Sequence, residues 1–406
     1  MDMLPSLPKL RPCEIKRLNY QGQAVVLLRD FMLGDDGAVL VPWELRGLIA
    51  GCDGSNDIAA LRSLCIAYGG PALGEDEVRA LLQTLAQAGL LEGPQADAAV
   101  ARALAAYHAT PYRTLSHADA VYPADPTAAT ALLRSFELPV RIEPRAAEDV
   151  AGILSPHIDY ARGGAVYAAG WRAAARAVRA AKRVIILGTD HKGGSGRLTL
   201  TRQRYATPWA TFERDDELLE GLVSVLGEER AFGEELHHRS EHSIELAAVW
   251  LQHVRGTAPV TVLPVLCGYH SPWADGGLPG DDAALGRALE LLRAAVSDGA
   301  LVVVAGDLAH VGPEFGDERG MGAAERADVR SADEALAERC AAGANAVLAH
   351  AAPLDPRYRV CGLSPLALAL AIMPPVRLDV AAYDQCAADA ANASFVSVAG
   401  GVFVRG

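Results

Sequence analysis

Arg183 to His191 reads RVIILGTDH: four consecutive apolar residues, a glycine, and a short polar segment that ends in histidine. An unbroken apolar run of this length predicts a strand buried on both faces. The same grammar recurs on either side. AGILS precedes SPHIDY with His157, VTVLPVL precedes CG, and LVVVAG precedes DLAHVG with His310, while RLTL is strand-like. Helical patterns separate these runs, at Ala165 to Ala181, Asp216 to Leu226, Ser243 to Val254 and Ala283 to Ala295. Strands alternating with helices predict an α/β fold with a largely parallel sheet flanked by helices. In such sheets ligands collect at the carboxyl ends of the strands.

The whole chain has 406 residues, 51% hydrophobic and 21% charged, with a formal charge of −13. That balance predicts a globular protein and argues against nucleic acid or an anionic membrane as the main partner. The first residues, MDMLPSLPKLRPCEIKRL, carry prolines and charges where a secretory leader needs an apolar stretch. The longest membrane candidate, LSPLALALAIMPPV, is short and broken by proline. Seven cysteines without CxxC spacing point to reduced thiols, so a cytoplasmic location is expected.

Residues 1–92 form a segment of another kind. Strand-like VVLL at Val25 to Leu28, a GDDG turn and AVLVP lead into three helical patterns, the first ending at CDG. This two-strand, three-helix order, closing with QTLAQAGLLE, resembles the PqqD-like winged-helix domains. The resemblance implies a recognition module that captures a peptide by strand addition. Eight Lys/Arg against twelve Asp/Glu in these residues disfavour DNA. An alanine-rich linker helix is expected over 93–112, and a metal-binding α/β domain over 113–406.

The chemistry-bearing residues lie in the second part. His157 and His191 each follow a strand, with one helix between them, so a right-handed crossover places both at one sheet edge. Asp307 and His310 follow another strand, and Gly306 would let the backbone turn sharply. Glu241 and His242 head an amphipathic helix, where a supporting or substrate-binding role is expected. Cys361, in RVCGLSP, precedes a helix whose N-terminus would favour a thiolate. His237 and His238 read as a solvated loop, and His253 and His270 lie in no motif.

SPHIDY, LGTDH, TPWATFERDDEL, EHSIEL, VTVLPVLCG, GDLAHVG and VCGLSP stand in the order and spacing of the MEMO-like family, also called AmmeMemoRadiSam system protein B. The resemblance runs from about Arg113, through SHADAVYPADP, to SFVSVAGGVFV. It implies a fold like the class III extradiol dioxygenases and a metal held by His157, His191 and Cys361. It also implies His310 as the proton-transfer group, Asp307 orienting it or neutralising its cation, and Glu241 and His242 as a polar wall. Two imidazoles and a thiolate suit iron or copper, with zinc possible. Partners by resemblance would be radical SAM and AMMECR1-type proteins, and the substrate a small molecule or peptide. The chain departs from the family pattern at Ile158, Asp159, Asp190, Lys192 and Val311, and Asp159 and Asp190 become possible additional ligands. Three functions are compatible: a metal-dependent redox or oxygenase-type protein; a non-catalytic peptide- or anion-binding adaptor using Arg162, Gly163 and Gly164 as a loop; or a hydrolase with Cys361 as nucleophile and His310 as base.

Overall fold

The computed structural model describes residues 4–194, 196–269, 278 and 282–406, so His270 lies outside the described residues. The chain divides into two compact units, Met1–Thr110 and Pro111–Gly406. In the first, strands β1 (Glu14–Tyr20), β2 (Gln23–Arg29) and β3 (Ala38–Pro42) form an antiparallel sheet in that order. The expected order of two strands misses β1, whose residues EIKRLNY are mostly exposed and carry no alternating apolar face. What makes the strand is its hairpin. Gln21 and Gly22 both have positive φ, 50° and 81°, matching the two-residue turn whose twist suits paired strands. Helices α1 (Arg46–Gly51), α2 (Ile58–Ala67), α3 (Glu75–Gln87) and α4 (Pro94–Ala109) follow. Leu28, Leu61, Cys65, Val78, Leu85 and Leu90 are fully buried in this unit's own core.

The second unit begins with α5 (Pro126–Glu137), β4 (Val150–Ser155), α6 (Tyr160–Ala173), α7 (Ala175–Ala180) and β5 (Arg183–Thr189). Short strands β6 (Leu198–Thr199) and β7 (Glu213–Arg214) lead to helices α8 (Asp216–Leu226), α9 (Glu228–Phe232) and α10 (His242–Arg255). Then come β8 (Thr261–Cys267), α11 (Ala283–Ser297), β9 (Leu301–Ala305) and β10 (His310–Val311). Helices α12 (Ala323–Arg339), α13 (Ala344–Ala351), α14 (Asp355–Tyr358) and α15 (Leu363–Ile372) precede the closing hairpin, β11 (Val376–Ala387) and β12 (Phe395–Arg405).

The sheet is mixed rather than largely parallel. Its order is β10-β12-β4-β9-β5-β8-β6, with β11 on β12 and β7 on β8. The centre, β4-β9-β5-β8, is parallel, but β12 pairs antiparallel with β4, β10 and β11. The apolar run SFVSVAGGVFV reports burial, which β12 has on both faces, and burial is silent about direction. Two hydrophobic cores cover the two faces. Ile185 and Leu187 face one with Leu222 and Leu366; Val184 and Ile186 face the other with Trp171 and Trp250.

Helix α6 starts at Tyr160, five residues before the expected start, and takes in Arg162, Gly163 and Gly164. The anion-binding loop proposed for them is therefore absent, and packing explains the glycines. A Cβ on Gly163 would come 2.4 Å from Ile158 Cγ2, and one on Gly170 would meet the Gly400–Gly401 backbone at 2.9 to 3.0 Å. The helix is pressed against β12, and Arg162 donates to the Cys386 carbonyl at 3.2 Å.

Candidate metal centre

Because β4, β9 and β5 are neighbours in the sheet, their carboxyl ends deliver three polar segments side by side: His157, Asp307 and His191. A fourth arrives from the loop before α15. Gly306 has an ordinary φ, and its lack of a side chain serves close approach instead of a sharp turn. A Cβ there would sit 2.5 Å from Gly362 Cα. Gly362 N–H donates to the Asp307 carbonyl at 2.9 Å and Thr189 Oγ1 to the Cys361 carbonyl at 3.0 Å, which locks the Cys361 loop onto both strand ends.

The fifth contribution is the start of α10. Glu241 caps this helix, its carboxylate accepting the N–H groups of His242 at 2.8 Å and Ser243 at 3.1 Å. The same Oε1 lies 3.1 Å from Nδ1 of His191 and 3.1 Å from Nδ1 of His242. A carboxylate only accepts, so both Nδ1 atoms carry a proton and Nε2 is the atom each ring can offer to a metal. His157 is oriented in the same sense by the Ala305 carbonyl, 3.1 Å from its Nδ1.

The three imidazoles converge. Ring centroids are 4.9 Å apart for His157–His191, 5.1 Å for His157–His242 and 4.9 Å for His191–His242. One ligand atom from each lies within 4.8 Å of the others, so the triad could hold a metal ion. Cys361 Sγ sits 3.2 Å from His157 Nε2. Side-chain exposure is 2% for His157 but 33% for His191 and 34% for His242, which leaves the cluster accessible from one side.

The electrostatics fit a bound cation. Burial alone would raise Glu241, but His191 and His242 hold its carboxyl well below the usual range. Burial would likewise lower His191, yet Glu241 and Cys361 outweigh it and raise that imidazole well above its ordinary value. His157 is kept neutral by burial and by its two imidazole neighbours. Burial raises the Cys361 thiol, partly offset by His191, so the thiolate expected from a helix N-terminus is disfavoured until a cation compensates it.

Asp307 Oδ1 accepts the His157 backbone N–H at 2.8 Å, and burial raises its carboxyl. His310 is oriented by its own turn, Nδ1 to the Leu308 carbonyl at 3.1 Å, with Phe315 edge-on at 5.1 Å; burial lowers it. The Leu308 carbonyl orients the ring, and the Asp307 charge raises the imidazole against burial. Cys361 meets His157 rather than His310.

Asp159 is exposed at the start of α6, while Asp190 is buried and turned to His237, Oδ2 to Nδ1 at 3.0 Å. Asp190, Glu234 and His237 form a separate acidic cluster. The solvated loop expected at His237 and His238 is a buried 3-10 turn, with exposures of 5% and 0%. His238 donates from Nε2 to the Thr199 carbonyl at 2.9 Å and accepts the Tyr205 hydroxyl at Nδ1 at 2.7 Å, and burial brings it down to about 4. His253 pairs with Glu137 at 3.2 Å.

Sequence reasoning missed one network altogether. Glu245, a turn after Glu241 on α10, is bound by Arg113, by Tyr122 at 2.5 Å and by His117 at 3.0 Å, and the His117 ring lies 5.7 Å from that of His242. Its one legible sign was the spacing of four between two glutamates, which places both on one helix face.

A mixed α/β sheet whose strand ends gather three imidazoles and a thiol defines the second unit as an α/β protein with a candidate metal site. A family model described as "Memo-like protein" matches residues 113–402, and the chain belongs to that family. It is similar to a "MEMO1 family protein" of Methanococcoides burtonii, 31% identical over 41% of this chain and 57% of that protein. A "MEMO1 family protein" of Aquifex aeolicus is 24% identical over 68% of this chain and 69% of its own length. One of Thermus thermophilus is 30% identical over 48% and 54%. The chain thus spans between about half and two thirds of the length of these curated relatives. No helix among the described residues is long and apolar enough to cross a membrane.

Proposed function

We propose that this protein carries out metal-dependent redox or oxygenase-type chemistry at the rim formed by His157, His191, His242 and Cys361. One observation carries the reading: each of the three imidazoles has its Nδ1 engaged by an acceptor, which leaves Nε2 as the atom each ring can offer to a metal. Imidazoles with an added thiol suit iron(II) or copper, with zinc a further possibility. The bound ion would supply Lewis-acid or redox chemistry at the accessible side of the cluster.

The protein's own residues do the rest. Glu241 fixes the tautomers and raises the basicity of His191 and His242. Asp307 holds the His157 backbone, and His310, neutral at pH 7, is the group that takes or gives a proton at the edge of the site. The first unit serves as a recognition module: β1 and β3 are the edges of its sheet, and Ile15 and Tyr20 on β1 are exposed, as strand addition by a peptide requires.

Anaerobic reconstitution with iron(II), copper or zinc, followed by elemental analysis, tests the reading. About one ion per chain is expected in the wild type and none in a H157A/H191A variant of unchanged circular dichroism. Equal metal content in both would remove the site.

A further inference from the structure

Away from the imidazoles, a cavity of about 330 Å³ opens between α12 and the β11–β12 hairpin. This size is at the lower end of small-molecule sites. Leu154, Leu308, Leu336 and Leu366 form an apolar, buried lining. Leu154 and Leu308 belong to the segments that carry His157 and Asp307, so an occupant would rest on the back of the metal rim.

The cavity also has a polar end. Asp333, 5% exposed, accepts the Tyr383 hydroxyl at 2.8 Å and a hydrogen bond from Ser397. Both donors are neutral. Arg330 lies over the Tyr383 ring, 4.4 Å from its centre, and acts on Asp333 only through space. Among the described residues no base lines the cavity, whereas Glu334 and Glu338 line it beside Asp333. The lining therefore combines an apolar body with a single sign of charge at a carboxylate that has spare acceptor capacity.

We infer that this cavity binds a small lipophilic amine, its alkyl body against the leucines and its ammonium group on Asp333. The carboxylates favour the cation over a neutral or anionic analogue of the same shape.

Calorimetric titration of the full chain with n-octylamine, octan-1-ol and octanoate decides the matter. The expected result is saturable binding of one octylamine per chain, weaker binding of octanol and the weakest of octanoate. D333N should lower octylamine affinity roughly tenfold to a hundredfold, the worth of a hydrogen bond to a charged group, and leave octanol unchanged. A337W, which fills the cavity from the half-buried face of α12, should abolish both in a protein of unchanged melting temperature. Octanoate binding as tightly as the amine, amine binding that survives A337W, or no saturable binding would each overturn the inference. Metal content does not enter the readout, so failure here leaves the rim untouched.

Discussion

Replacing Glu241 by Gln separates its two tasks. Oε1 receives four contacts, from Nδ1 of His191 and His242 and from the backbone N–H of His242 and Ser243; Oε2 receives only the His191 N–H, at 3.2 Å. A glutamine with its carbonyl in the Oε1 position keeps the four and turns an NH2 toward the fifth. One hydrogen bond is lost, about 1 kcal/mol, so the cap survives and the protein remains folded. The negative charge behind two imidazoles is gone. Losing such a partner costs about 10- to 100-fold in metal affinity, and with two ligands served by one oxygen the upper end applies, about 2.7 kcal/mol. Competition of zinc(II) against a chromophoric chelator at pH 7 measures it, with thermal denaturation as the check on folding. A folded E241Q protein binding zinc within about threefold of wild type would show that Glu241 is only a helix cap, and the tautomer argument would fail.

D190N should lower stability by about 1–3 kcal/mol through the buried His237 contact while metal content stays at that of the wild type; loss of the metal would make Asp190 a ligand after all. In G306A the added Cβ, 2.5 Å from Gly362 Cα, should cost about 1–3 kcal/mol and loosen the Cys361 loop. Alkylation of Cys361, followed by mass mapping, should then be faster than in the wild type, and an unchanged rate would refute the loop-locking role. The acid limb of stability should carry two contributions. Glu245 is held far below the usual carboxylate range, burial being outweighed by Arg113, His117 and Tyr122; its stabilisation is present above about pH 4.3 and lost as pH falls below that. His238, brought down to about 4 by burial, stays neutral in the fold while the unfolded chain protonates, so stability falls between about pH 6.5 and 4. Urea denaturation from pH 7 to 2 should show both, and E245Q should cost about 3–5 kcal/mol at pH 7 by removing the carboxylate that balances the buried Arg113 charge; a pH-independent midpoint would refute the assignment.

What the sequence made legible follows from which physical quantity a pattern reports. Apolar runs such as VIIL at 184–187 report burial, so the central strands β4, β5, β8 and β9 and the helices between them were readable, with the polar ends that carry His157, His191 and Asp307. Direction was not readable, because β12 is as apolar as β5 yet runs antiparallel to its neighbours. Polar runs mislead in the opposite sense: GEELHHRS looks solvated, but His237 and His238 are buried because Asp190, Tyr205 and the Thr199 carbonyl satisfy them across 33 to 47 residues of chain. Pairings at that separation, like Arg113 with Glu245, leave no local trace.

His242 is the instructive case. Its position before an amphipathic helix pointed to a supporting wall, and the helix alone justifies no more than that. What brings it among the other two imidazoles is the neighbouring Glu241, whose carboxylate must neutralise the helix N-terminus and whose remaining capacity is taken up by His191, just beyond the end of β5. Because the same Oε1 caps α10 and holds both Nδ1 protons, the helix cannot dock on the sheet without setting the rings, and the rings cannot be set without the helix. The orientation of the candidate ligands is therefore a consequence of folding α10 onto β5. A cation supplied to the site should, for the same reason, protect the α10 N-terminus against hydrogen exchange more than any other segment.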